Sequence, residues 1–175
     1  MSLDSVTGNE ASQDVSFESM FQAEYGSLAR SMYWVVHDRE QARDIAQEAF
    51  TQLFLRWRRI SKYDRPEAWV RRVAIRIAIR TIKRERVRRQ LEHEFEVAPS
   101  QGLIDVDVLR AVAQLPGTQR AAVVLFYLED RPVAEVADIL SCSESTAKVH
   151  LHRARKRLAE LLGDEESWGD SIDAS

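Results

Sequence analysis

Apolar residues recur at three- and four-residue intervals along most of this chain, and that period predicts helices. Phe17, Met20, Phe21, Leu28, Met32 and Val35 mark a first helix from Phe17 to Val36. A second is expected from about Arg39 to Arg59, where Ala42, Ile45, Ala46, Ala49, Phe50, Leu53, Phe54 and Trp57 form a broad stripe. Asp64-Arg65-Pro66-Glu67 joins a capping residue, an early proline and a glutamate three positions after the aspartate, a helix start. The third helix then continues through Trp69, Val73, Ile77 and Ile82. Periodicity is lost from Leu91 to Asp105, around Pro99, Ser100 and Gly102. It resumes near Val106, stops at Leu115-Pro116 and restarts at Thr118. Val123 to Tyr127 resembles a strand, but it lies within the helical pattern of Ala121, Val124, Leu125 and Leu128 and is read as helix.

The last segment is the most specific. Val133, Val136, Ala137 and Leu140 share one face of a short helix that Pro132 can start. Ser141-Cys142-Ser143 interrupts the pattern, and Ser143 suits the N-cap of a longer helix. Ala147, Leu151, Ala154, Leu158 and Leu161 then form a continuous apolar stripe, opposite Lys148, Val149, His152, Arg153 and Lys156. The pattern predicts an all-α chain with no internal repeat: two small helical domains, 17–90 and 106–162, joined by a flexible linker over 91–105. Residues 1–16 are expected to be disordered, and residues 163–175 to form an acidic tail.

The 175 residues, 45% apolar and 30% charged, suit a soluble globular protein. One cysteine excludes an internal disulfide framework. Neither a signal peptide nor an apolar run long enough to span a membrane is visible, so a cytoplasmic address without membrane insertion is expected. The net charge of −3 hides a segregation: residues 17–90 carry +8, while 91–116 carry −4 and 161–175 carry −5. Between Arg71 and Arg89 nine basic residues stand against one acid, Glu85. Such a cluster is a footprint for a polyanion.

Each domain offers candidate chemistry. A short helix, a tight turn and a helix with small polar and basic groups near its start can enter a DNA major groove; otherwise they form a hairpin with a solvated face. Arg72, Arg76, Arg80, Lys83 and Arg84 share a face that can track a nucleic-acid backbone or lie on an anionic membrane. Tyr63 and Trp69 nearby can stack on unpaired bases or pack in the core. Arg43, Asp44, Gln47, Glu48 and Thr51 form a polar band on the second helix, suited to docking a basic partner helix or simply to solvation. His37, His93, His150 and His152 show no metal-ligand spacing, Cys142 fills a turn, and no phosphate-cradling glycine loop is present. No enzyme, cofactor or metal is expected.

Taken together, these segments resemble a bacterial RNA polymerase sigma factor of the extracytoplasmic-function group, which keeps regions two and four of the sigma-70 family. DREQARDIAQEAFTQLFLRWRRI and DRPEAWVRRVAIRIAIRTIKR resemble region two, and LPGTQRAAVVLFYLEDRPVAEVADILSCSESTAKVHLHRARKRL resembles region four. The resemblance covers residues 17–90 and 106–162. It implies that Asp44, Gln47, Glu48 and Thr51 meet core polymerase. It places Tyr63, Arg65, Arg72, Arg76, Arg80, Lys83 and Arg84 at the promoter's minus-ten element. It puts Lys148, Val149, His152 and Arg153 on the bases of the minus-thirty-five element, with Thr146 and Arg155 at phosphates. The linker Leu91 to Asp105 would thread through the polymerase. An anti-sigma factor, which commonly restrains this group, is implied as a third partner beside core polymerase and promoter DNA.

The chain departs from the family at Arg76 and Arg80, where members commonly carry asparagine and aspartate. Strong backbone attraction is expected there. The competing reading is a stand-alone helix-turn-helix regulator of operator DNA. That reading leaves the Arg71–Arg89 cluster unexplained.

Overall fold

The computed structural model describes residues 7–92 and 106–163. In chain order the helices are α1 (Thr7–Val36), α2 (Arg39–Phe54), α3 (Trp57–Ile60), α4 (Pro66–Glu92), α5 (Val106–Ala113), α6 (Gly117–Val123), α7 (Val133–Leu140) and α8 (Glu144–Leu162). Val124–Leu128 continues α6 as a π-helical turn, so the strand-like run is helical, as its period indicates. Most of the linker expected over 91–105, together with the tail after Gly163, lies outside the described residues.

Local chemistry sets the boundaries. His37 adopts a φ of 62° after α1. Asp38 then caps α2, its carboxylate accepting the Gln41 N–H at 2.9 Å. Ser143 caps α8 in the same way, accepting the Thr146 N–H at 3.2 Å. Gly163, at φ 71°, closes α8 in the left-handed conformation that costs glycine least. Ser141 does the same for α7 at φ 56° without that freedom.

Two boundaries differ from the periodic reading. The second helix does not run to Arg59: Arg56 leaves the helical region at φ −118°, ψ 10°, and the chain re-enters as α3. Trp57 is buried at 6% exposure, as its place on the apolar stripe indicates, whereas Phe54, expected on the same stripe, is 53% exposed next to the break. The first helix starts at Thr7, so part of the stretch expected to be disordered belongs to it. The apolar period that predicts the first helix begins only at Phe17.

Helices α1, α2 and α4 pack together as one unit, and α6, α7 and α8 as another, with α5 bridging α1 and α8. The units share a core. Leu28, Met32, Phe50, Val70 and Ile75 belong to the same buried cluster as Leu125, Val136 and Leu151. A smaller cluster of Ala111, Val112, Leu115, Val123, Ala154 and Leu158 is met by Trp34 of α1.

A buried cation pins the seam. Arg120, 7% exposed, donates to the carbonyl oxygen of Val35 at 2.6 Å and to those of Ala113 and Leu115 at 2.5 and 3.1 Å. It thus meets the negative C-terminal end of α1, where a cation is favourable. His37 lies 3.3 Å from it through Nδ1, and its Nε2 lies 3.1 Å from the carbonyl oxygen of Leu109. Arginine can only donate, so Nδ1 accepts and Nε2 carries the proton.

Burial, reinforced by the Arg120 charge, lowers the His37 pKa from 6.5 to about 4. A base whose pKa falls on folding binds fewer protons when folded. Its stabilising contribution is therefore complete above about pH 6.5 and lost as pH falls toward 4. Lowering the pH from 7 to 5 should cost about 2 kcal/mol through this group alone. His37→Asn tolerates the positive φ and should lose that much less over the same interval, as measured by urea unfolding. An unchanged pH dependence would remove His37 as its source.

Candidate nucleic-acid interface

Helices α7 and α8 form the predicted helix-turn-helix. Val133, Val136 and Ala137 of α7 and Ala147, Leu151, Ala154 and Leu158 of α8 are buried, so each apolar stripe faces the core. Lys148, Val149, His152 and Arg153 all lie exposed on the opposite side of α8. Val149, at 44%, is one of the few large apolar side chains open to solvent, and its methyls can meet a thymine methyl. Thr146 is exposed in the first turn, its hydroxyl 2.8 Å from that of Ser143. Arg155 is half-buried on the flank of the helix, away from that exposed face. Cys142 packs against the core at the turn, and burial pushes its thiol pKa up, opposite to what nucleophilic activation requires.

The basic helix α4 is buried on more sides than its sequence pattern indicates. Val70, Ala74, Ile75 and Ala78 are fully enclosed. Val73, Ile77 and Ile82 pack against the cluster from its margin. Ile82 also borders the second unit: a Cβ added to Gly117 would lie 3.5 Å from its Cδ1. Trp69 packs against the core, whereas Tyr63 is 46% exposed and free to stack. Arg76, Arg80, Lys83 and Arg84 are exposed. The remaining assigned arginines are engaged, Arg65 by Glu67 and Glu135, and Arg72 by Asp138.

Arg71 does not belong to the polyanion footprint at all. It is 4% exposed and sits between Glu129 at 2.8 Å and Glu24 at 2.7 Å. Burial works against the charges of both Arg71 and Glu129. Their mutual attraction, with Glu24 on one side and Ser31 and Arg131 on the other, outweighs it, so the arginine pKa is raised and the carboxyl pKa lowered. The sequence offers one sign of this role: Arg71 shares the helical phase of Ala74, Ile75 and Ala78, three buried positions. Arg120 gives a similar sign, in phase with Val123 and Val124.

On α2, Arg43, Asp44, Gln47, Glu48 and Thr51 are all exposed, and the Thr51 hydroxyl donates back to the Gln47 carbonyl at 2.8 Å. The helix beneath them is held by six buried residues, from Ala42 to Leu53. The band is therefore a rigid, acidic, outward face next to the exposed Phe54 and Leu55. Among the described residues no group of three metal-ligating side chains converges, and no helix is long and apolar enough to cross a membrane.

Comparisons with known proteins agree with this layout. The family model for sigma-70 region 2 matches residues 20–88, and that for sigma-70 region 4 matches residues 105–158. The chain is 30% identical over 152 residues to the ECF RNA polymerase sigma factor SigM of Mycobacterium tuberculosis, covering 84% of this chain and 77% of that one. It is 31% identical over 157 residues to the RNA polymerase sigma-E factor of Streptomyces avermitilis, covering 83% and 84%. The fold is similar to that of the sigma factor RpoE of Bartonella quintana, solved in complex with the anti-sigma factor NepR. That likeness has a TM-score of 0.70 at 23% identity and spans 86% of this chain and 99% of that one. With both sigma regions matched in order, and the helix-turn-helix, the basic helix and the acidic face in place, the chain belongs to the extracytoplasmic-function group of sigma-70 RNA polymerase sigma factors.

Proposed function

We propose that this sigma factor docks on core polymerase through Asp44, Gln47, Glu48 and Thr51, and holds the minus-ten element with Tyr63, Arg65, Arg72, Arg76, Arg80, Lys83 and Arg84. It reads the minus-thirty-five element with Lys148, Val149, His152 and Arg153, while Thr146 and Arg155 take phosphates. It works in the cytoplasm as a specificity subunit with no catalytic step of its own. A dedicated anti-sigma protein restrains it, as NepR partners the related RpoE. One observation carries the reading: a single chain presents an exposed recognition helix, an exposed basic run on α4 and a rigid acidic face on α2. A stand-alone operator binder has no use for the second and third.

Run-off transcription with core polymerase and a promoter library tests this. Transcripts that require both the chain and the polymerase are expected, while operator binding without any polymerase dependence would overturn the reading. Within that assay Arg153→Ala should weaken promoter use through the minus-thirty-five element by about 1–3 kcal/mol, the value of a good base contact. An unaltered sequence preference would move Arg153 to a phosphate or to solvent. At Arg76 and Arg80 two cations replace the family's more selective pair, so binding should be strongly salt-dependent and less discriminating between minus-ten sequences.

A further inference from the structure

Two of the arginines assigned to the minus-ten element are already occupied, and by the other promoter-reading unit. Arg65 forms a forked pair with Glu135, Nη1 to Oε1 at 2.7 Å and Nη2 to Oε2 at 2.8 Å. Arg72 brings Nη2 to 2.6 Å from Oδ1 of Asp138 and donates through Nε to the Asp138 backbone carbonyl at 3.1 Å. Both acids belong to α7, the first helix of the helix-turn-helix. The pairing extends inward: Arg131 bridges Glu135 and Glu129 at 2.9 and 2.8 Å, and Glu129 meets the buried Arg71. Charges thus alternate across the seam from the rim to the core.

The two reading surfaces are unequally available in this arrangement. Lys148, Val149, His152 and Arg153 on α8 stand open to solvent, as do Arg76, Arg80, Lys83 and Arg84 farther along α4. Only the N-terminal end of α4 is shut. Elements named for positions ten and thirty-five lie about 25 base pairs apart, or about 85 Å at 3.4 Å per pair. A compact chain of 175 residues has a radius of gyration of only about 16 Å. The closed molecule cannot reach both, so the pairs across the seam must break when the promoter is engaged.

The geometry points to α7 as an intramolecular latch, in which Glu135 and Asp138 stand in for DNA phosphates on Arg65 and Arg72 and keep the free chain off single-stranded promoter DNA until its two units part. A carboxylate can do this because it accepts the guanidinium fork in the same bidentate manner as a phosphate. The rim pairs are partly exposed and therefore weak and screened by salt, which suits a contact that a polyanion must displace. The inference rests on the minus-ten assignment proposed above.

The test compares free full-length chains for binding to a random-sequence DNA single strand of about 12 nucleotides at low salt. Glu135→Gln with Asp138→Asn removes both acids, one half-buried and one exposed, while keeping side-chain size. It should tighten binding by about tenfold, the gain expected when a mostly closed site is released. Asp130→Asn with Glu160→Gln removes the same net charge from the same unit at exposed acids outside the pairs with Arg65 and Arg72, and should give little gain. Placing Arg65→Ala and Arg72→Ala in the released background should abolish the difference. No gain, or an equal gain in the charge-matched control, overturns the latch. The minus-ten assignment is judged separately. If holoenzyme carrying Arg65→Ala and Arg72→Ala opens promoters as the unaltered holoenzyme does, that assignment fails and takes the latch's purpose with it, whatever the free chains show.

Discussion

Arg120→Met is expected to destabilise the folded chain by about 3 kcal/mol or more, the sum for three buried carbonyl oxygens that lose a charged donor. Methionine is flexible, apolar and close to arginine in volume, so only a minor part of the loss would come from an emptied volume. What disappears is the set of donors. The carbonyl oxygens of Val35, Ala113 and Leu115 would all lose their guanidinium partner inside the seam. Each buried acceptor left unpaired costs about 1–3 kcal/mol. The last turn of α1 would also lose the cation that opposes its dipole. Urea unfolding of the full chain measures the loss, and small-angle scattering should show expansion, because Arg120 ties the second unit to the first. A destabilisation below about 1 kcal/mol would mean that water replaces the guanidinium without difficulty. The same substitution should raise the His37 pKa, since the neighbouring cation that helps to hold it down is gone.

The second large effect is on assembly, not folding. Asp44→Arg combined with Glu48→Arg should abolish association with core polymerase while leaving the helical content and the unfolding midpoint nearly unchanged. Both side chains are exposed, and the stability of α2 comes from Ala42, Ile45, Ala46, Ala49, Phe50 and Leu53 beneath them. Reversing two charges on a docking face replaces attraction by repulsion, and like-charge juxtaposition at an interface costs several kcal/mol. Co-elution of the chain with core polymerase on gel filtration reads the outcome. Unaltered co-elution would place the docking surface elsewhere, and the exposed Phe54 and Leu55 at the end of the same helix would be the next residues to substitute. A fall in the unfolding midpoint would instead show that the acids serve the fold.

The two substitutions probe different parts of the molecule, and they differ in how visible their targets are in the sequence. Asp44 and Glu48 are legible because an amphipathic helix sorts its residues by a local rule: whatever lies opposite the apolar stripe faces outward. The same rule places Lys148, Val149, His152 and Arg153 on the open side of α8, with Ser143 capping its start. The rule fails at Phe54, which it places on the same apolar stripe as the buried Trp57 and which lies exposed just before the backbone break at Arg56. It fails again at Arg71 and Arg120. Side-chain type marks both as surface cations, and their burial depends on partners that the helical phase does not reveal: Glu24 and Glu129 for one, and the carbonyls of Val35, Ala113 and Leu115 for the other.

The sequence by itself determined the helices, their exposed faces, the order of the two sigma regions and hence the family. Each of these depends on residues within a few turns of one another or on a linear motif. The tertiary structure alone decided that the two units close on a shared core, that Arg71 is a structural ion and not a DNA contact, and that Arg65 and Arg72 meet acids on α7. The physical reason is the separation along the chain. Arg65 and Glu135 lie 70 positions apart, and Arg72 and Asp138 lie 66 apart. Nothing in the local pattern selects those pairings over others with the same charges. They exist because the apolar faces of both units are buried most completely against each other, and the charges around that contact then pair across the seam.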